Sequence, residues 1–193
     1  MEEVPKKKRL LASAYDLFTT KGINSTTIQD IVDAAKVAKG TFYLYFADKY
    51  NIQEQLIISK SEELFNNAMD ELSKHKIEKF DNQIIFVVDY VIDELIKAPE
   101  LLNFISKDLS MGIYSEKLNQ ILGSDHIKLY DMFIKGVKDN NIKLNNPEVT
   151  LYMIIEFTSS TLFSVFNRRI GLTIDEYKPY LHRVIKSMLS NGY

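Results

Sequence analysis

Cysteine is missing altogether from the 193-residue sequence. Its absence rules out a disulfide framework, a thiolate metal site and a cysteine nucleophile, and it suits a reducing cytoplasm. Glycine and proline are scarce, at 7 and 4. So few chain breakers favour long helices over a β-sandwich, which must turn about every ten residues. No run of about 18 residues is both apolar and free of charge, so no membrane span is expected. The stretch MEEVPKKKRLLASAYDLF lacks a continuous apolar run followed by a small-residue cleavage site, and no signal peptide is expected. His75, His126 and His182 stand without partners three or four residues away, and there is no glycine-rich phosphate loop, serine elbow or metal-spaced cluster. These gaps predict no enzyme activity, no cofactor and no metal.

What is present fits a globular protein: 46% hydrophobic and 26% charged residues, a balance that argues against disorder. The net charge of −2 is uneven. Residues 1–50 hold eight Lys/Arg and six Asp/Glu, giving +2, and the remainder holds sixteen and twenty, giving −4. A basic end on an acidic chain is compatible with nucleic-acid binding without requiring it.

Helical periodicity runs along the whole chain. Pro5 suits a first helical turn, and Leu10, Leu11, Ala14, Leu17 and Phe18 then share one apolar face. Gly22 is a natural stop. In NSTTIQDIVDAAKV, Thr26 with Gln29 or Thr27 with Asp30 can form a capping box. Ile28, Ile31, Val32 and Ala35 make the stripe of a short second helix, and a tight turn near Lys36 leads to a third, from about Lys39 to Phe46. Asp48 can cap a fourth, from Lys49 to about Lys74. Further helices are expected over 80–97, ended by Pro99, over about 100–110, over about 114–139, from Pro147 through 166, and from the Thr173–Glu176 cap to about Ser190. The expected fold class is all-α, with about nine helices.

VAKGTFYLYFADK, residues 37–49, packs Phe42, Tyr43, Tyr45 and Phe46 into five positions beside two lysines. Two short helices joined by a tight turn and braced by a longer first helix make a helix-turn-helix, whose second short helix enters the DNA major groove. Phe42 and Phe46, four apart, are expected to hold that helix to the domain. Lys39, Tyr43 and Lys49 fall outside the stripe, where they can meet phosphates and bases. Half-buried tyrosines and solvated lysines are the plainer alternative. Lys6, Lys7, Lys8 and Arg9 likewise read either as a solvated helix start or as an arm on the phosphate backbone.

TTIQDIVDAAKVAKGTFYLYFADK closely resembles the DNA-binding signature of the TetR family of bacterial transcription repressors, over about residues 8–56. The resemblance implies that Thr27 caps helix two and reaches a phosphate. It places Lys39, Gly40 and Thr41 at the opening of the recognition helix, Tyr43 and Tyr45 on backbone or bases, and Lys49 on a phosphate at the start of helix four. Three positions depart from the family pattern. Ala38 stands where serine is frequent, Leu44 replaces a frequent tyrosine and offers an apolar contact such as a thymine methyl, and Lys36 replaces a turn glycine, where a positive φ costs about 1 kcal/mol. The implied organisation is a helix-turn-helix domain over 1–47, a connecting helix over 48–74, and a ligand-binding and dimerisation domain over 75–193. The implied partners are a double-stranded, pseudo-palindromic DNA operator, a second copy of the chain and a small apolar or aromatic effector, with no membrane. A DNA-binding protein of the same fold, controlled by a protein partner or by no small molecule, is the alternative.

The apolar stretch 149–166 and the helix over 174–190 can pair with their symmetry mates as a four-helix bundle. Phe86, Tyr90, Phe104, Met111, Tyr114, Tyr130, Phe133, Tyr152 and Phe157 are candidate walls of an effector pocket, although such a set also reads as plain core. Glu156, between Ile155 and Phe157, calls for a partner. Arg168 or Arg169 across a dimer is the preferred one, a cationic ligand the other. Asp89 and Asp93 share a face of helix five and read as an exposed polar stripe.

Overall fold

The computed structural model describes residues 5–106, 108–111 and 128–190, and every regular element among them is helical. The chain divides into two compact units, Met1–Ser59 and Lys60–Tyr193. The first holds α1 (Lys6–Thr20), α2 (Ile28–Ala35) and α3 (Lys39–Tyr45). The second holds α5 (Phe80–Lys97), α6 (Pro99–Ile105), α7 (Lys128–Asp139), α8 (Pro147–Phe166) and α9 (Ile174–Ser190). The division falls within α4 (Lys49–Leu72) rather than at its ends.

Local chemistry sets the short helices of the first unit. Thr27 is the N-cap of α2: its hydroxyl accepts from the Asp30 N–H at 3.1 Å, and its own N–H donates to the Asp30 carboxylate at 2.8 Å. Lys21 adds an ion pair to Asp30 at 2.9 Å. The Thr27 N–H, then Lys21 and the Thr27 hydroxyl, pull the Asp30 carboxyl down to about 2. Lys36 ends α2 in the left-handed region, at φ 54° and ψ 50°, and its N–H bonds back to Asp33. The expected strain is therefore present, and it sends the chain sharply into α3. The Asp48 carboxylate accepts from the N–H groups of Tyr50 and Asn51, both at 2.8 Å, and caps α4. Leu10, Ala14, Ile31, Val32, Phe42 and Phe46 fill the core among these helices, and each fully buried phenylalanine contributes about 2–3 kcal/mol.

In the second unit α5 spans the expected range, but Pro99 opens a helix instead of only ending one. It occupies the first turn of α6, where its missing N–H costs nothing. That helix stops at Ile105, short of the expected 110. Of the helix expected over 114–139, α7 carries 128–139, and 114–127 lies outside the described residues. α8 starts at its Asn146 cap, whose side chain accepts from the Val149 N–H at 3.1 Å. With a mean hydropathy of 1.4, α8 is long and apolar enough to cross a membrane by length and composition. Here it packs on α5, α7 and α9, as the central helix of a bundle does.

Two expectations for this unit change. Asp89 and Asp93 are not a merely solvated stripe, and His182 is not isolated. Lys178 Nζ meets Asp93 at 2.6 Å, His182 Nε2 meets Asp89 at 2.8 Å, and Lys186 Nζ donates to Asn82 at 3.1 Å. Lys178, His182 and Lys186, four apart on α9, therefore face Asp93 and Asp89 and, about two turns back on α5, Asn82 and Asp81. His75 sits against Phe86, with ring centroids 4.8 Å apart.

Candidate nucleic-acid interface

The recognition helix is α3, and its two faces differ sharply. Phe42 and Phe46 are 0% and 1% exposed, with ring centroids 5.5 Å apart. Tyr43, Leu44 and Tyr45 point outward, at 52%, 80% and 41% exposure. Lys39 and Gly40 are exposed as well, and Thr41 is half-buried. A Cβ added at Gly40 would meet nothing within 4 Å. No neighbour inside the protein therefore demands glycine at this helical position, where it costs about 1 kcal/mol against alanine. Ala38 precedes the helix without a side-chain cap, as loss of a serine hydroxyl predicts.

The lysines around α3 divide by role. Lys6 and Lys8 are exposed, whereas Lys7 folds over the Phe46 ring at 5.9 Å. Lys36 is exposed at the turn between α2 and α3. Lys49, expected on a phosphate, is engaged by the chain itself. Its ammonium donates to the carbonyls of Ile23 at 2.9 Å, Thr26 at 3.1 Å and Asn24 at 3.4 Å. A lysine has three donors, and here each one is occupied by the chain itself. Tyr50, in the first turn of α4, is 57% exposed and was not singled out by sequence reasoning. Its only signal was its place two residues after a capping aspartate.

A partly open apolar cavity of about 30 Å³ lies within the second unit, lined by Phe65, Leu109, Leu129 and aliphatic residues of α5 and α8, with Thr158 as its polar member. Its volume is on the order of one or two water molecules. None of the described candidate wall residues lines it. Phe86, Tyr90, Phe104, Met111 and Tyr130 are half-buried elsewhere, Phe133 packs on Phe80, and Tyr152 and Phe157 are exposed. Tyr114 lies outside the described residues. Tyr130 donates its hydroxyl to Glu148 at 2.6 Å, which pushes its pKa up to about 12. Glu156 sits half-buried outside the cavity wall, not enclosed among the isoleucines beside it in sequence. Among the described residues no group of three or more His, Asp or Glu is placed to hold a metal.

A short helix rooted by two phenylalanines, following a capped helix and a left-handed turn, defines a helix-turn-helix DNA-binding protein. Residues 10–56 match the sequence profile of the bacterial regulatory proteins of the tetR family. The negative transcriptional regulator of the icaADBC biofilm operon, IcaR, of Staphylococcus aureus strain Newman is 24% identical over 189 residues, covering 95% of this chain and 97% of that regulator. The fold is also that of FadR from Bacillus subtilis, solved with stearoyl-CoA. The TM-score is 0.60 at 18% identity, over 96% of this chain and 99% of that one. RolR in complex with resorcinol gives a TM-score of 0.64 at 18% identity, over 96% and 87% of the two chains. Residues 10–56 therefore carry the DNA-binding domain of the tetR family of bacterial regulatory proteins, and along nearly its whole length the chain is similar to transcriptional regulators with that domain.

Proposed function

We propose that this regulator is a cytoplasmic repressor that binds a pseudo-palindromic operator as a homodimer and leaves it when a small apolar or aromatic effector binds the second unit. The observation that carries the DNA-binding part is the outer face of α3, where Tyr43, Leu44 and Tyr45 stand in solvent on a helix whose other face is fully buried. Exposed rings and an exposed leucine lower solubility without helping the fold, so they fit a surface that a partner covers. Repression is supported by the likeness to IcaR, a negative regulator. An effector is supported by the likeness in fold to regulators solved with stearoyl-CoA and with resorcinol. Lys39, Gly40, Thr41, Tyr43, Leu44 and Tyr45 form the reading surface, with Thr27 on a flanking phosphate.

One observation favours the second reading, a regulator without a small effector: the apolar cavity among the described residues of the second unit holds only about 30 Å³, far below the several hundred a drug-sized ligand fills. Both readings are testable together. Tyr43→Ala is expected to weaken binding to the duplex upstream of the chain's own coding region by about tenfold or more, with an unchanged melting temperature. Parent-like binding by this variant would remove α3 as the reading helix. Release of that duplex by acyl and small aromatic compounds in a thermal-shift and gel-shift screen supports the effector. No response across the screen supports the second reading.

A further inference from the structure

The ammonium of Lys49 occupies a site built by the turn between α1 and α2. That turn reverses at Gly22, whose φ is +82°, and then presents the carbonyls of Ile23, Asn24 and Thr26 toward one point. Its shape is held from inside as well. Thr26 is fully buried, its hydroxyl donates to Gly22 O at 2.8 Å, and its N–H donates to Ile23 O at 3.2 Å. Three converging carbonyls form a cation-binding bowl, and an ammonium with three donors is its complement. The next residue after the bowl is Thr27, the N-cap of α2.

We propose that Lys49 is a positioning residue for DNA binding rather than a phosphate ligand. It ties the first turn of α4 to the α1–α2 turn and thereby sets the N-terminus of α2, with Thr27, beside the reading helix α3. The inference deepens the DNA-binding reading and rests on it. A cation that left the bowl for a phosphate would give up three carbonyl acceptors and lose the tie. A phosphate contact and a positioning tie predict opposite results for salt dependence, because only a phosphate contact releases a counterion from the DNA.

The test uses the full chain, the variants Lys49→Met and Lys49→Arg, the duplex upstream of its own coding region and a scrambled duplex. Amide hydrogen exchange is read across residues 23–27, and affinity is read against salt. The expected result is faster exchange across 23–27, a lower melting temperature and affinity for the upstream duplex weaker by about tenfold or more. The salt slope is expected to stay that of the parent. The arginine does not rescue, since its planar fork cannot offer three donors to one bowl. A salt slope reduced by about 0.9 in Lys49→Met, the share of one phosphate contact, overturns the proposal whatever the exchange. Unchanged exchange at 23–27, or unchanged affinity, in either folded variant overturns it too. If Lys49→Met does not fold, Lys49→Arg carries these measurements. A parent chain that binds neither duplex defeats the DNA-binding reading instead, and the exchange data still decide whether Lys49 holds the turn.

Discussion

Asp30 shows how much one residue can do when its partners are close in sequence. It closes the capping box with Thr27 three residues before it and takes an ion pair from Lys21 nine residues before it. The box was legible as a spacing, because a cap is a local motif with fixed offsets. Spacing alone left Thr26 and Thr27 both open, the family resemblance pointed to Thr27, and burial agrees: Thr26 is fully enclosed, and Thr27 takes the cap. The Asp30 carboxyl is held at about 2 against an ordinary 3.8. A depressed carboxyl contributes stability that is complete above its unfolded value and is lost as pH falls through its folded value. Urea unfolding followed from pH 5 downward is therefore expected to weaken between about pH 4 and 2, with a shallower fall in Asp30→Asn. The bonds of Lys49 were not legible, for the opposite reason. Its family position suggested a phosphate, but its three acceptors lie 23 to 26 residues earlier in the chain, and no local pattern announces them.

At the scale of helices, the lesson is one of register. Ile84, Val87, Val88 and Val91 on α5 face the cavity, as do Leu151, Ile154, Ile155 and Thr158 on α8. Both sets follow the same three- and four-residue spacing. Phe86 and Tyr90 share that spacing, and Tyr152 and Phe157 lie five apart, but all four are offset from the inward sets and stand outside the cavity wall. Residue size drew attention to the aromatics, while the stiff aliphatic residues were the ones turned inward. The ladder between α5 and α9 was equally hidden, because each charged row looks solvated until the other helix is laid against it. Helix ends, by contrast, were legible: α5 spans the range that its periodicity and Pro99 predict. The packing of α5 on α7 gives a direct test. A Cβ at Gly136 would fall on the Phe80 ring, which is itself buried and packs against Phe133. Gly136→Ala is expected to cost about 1–3 kcal/mol through this overpacking, measured by chemical denaturation, even though alanine is the better helix former.

For the whole molecule, the outer surface of α8 and α9 is the feature left to account for. Val149, Tyr152, Met153 and Phe157 are 50%, 44%, 49% and 38% exposed, and an open groove of about 540 Å³ runs beside Val149, Met153, Val184 and Met188. We propose this as the homodimer face, where a second copy's α8 and α9 complete a four-helix bundle and Arg168 or Arg169 of that copy reaches Glu156. Met153→Asp is expected to shift the protein to monomer in analytical ultracentrifugation, with its helicity retained and its operator affinity reduced by roughly tenfold or more. A dimer unchanged by this substitution would place the interface elsewhere.

The sequence by itself determined the helices, their caps, the helix-turn-helix and the buried roots of α3, because each depends on neighbours within a few positions of one another. It also carried the family signature, which is local in the same way. Only the tertiary structure decided where Lys49 spends its charge, which faces of α5 and α8 turn inward, and that Asp89 and Asp93 answer Lys178 and His182. Those outcomes depend on which distant segments are brought side by side, and a one-dimensional periodicity fixes the angle of a residue around its helix without naming what stands opposite.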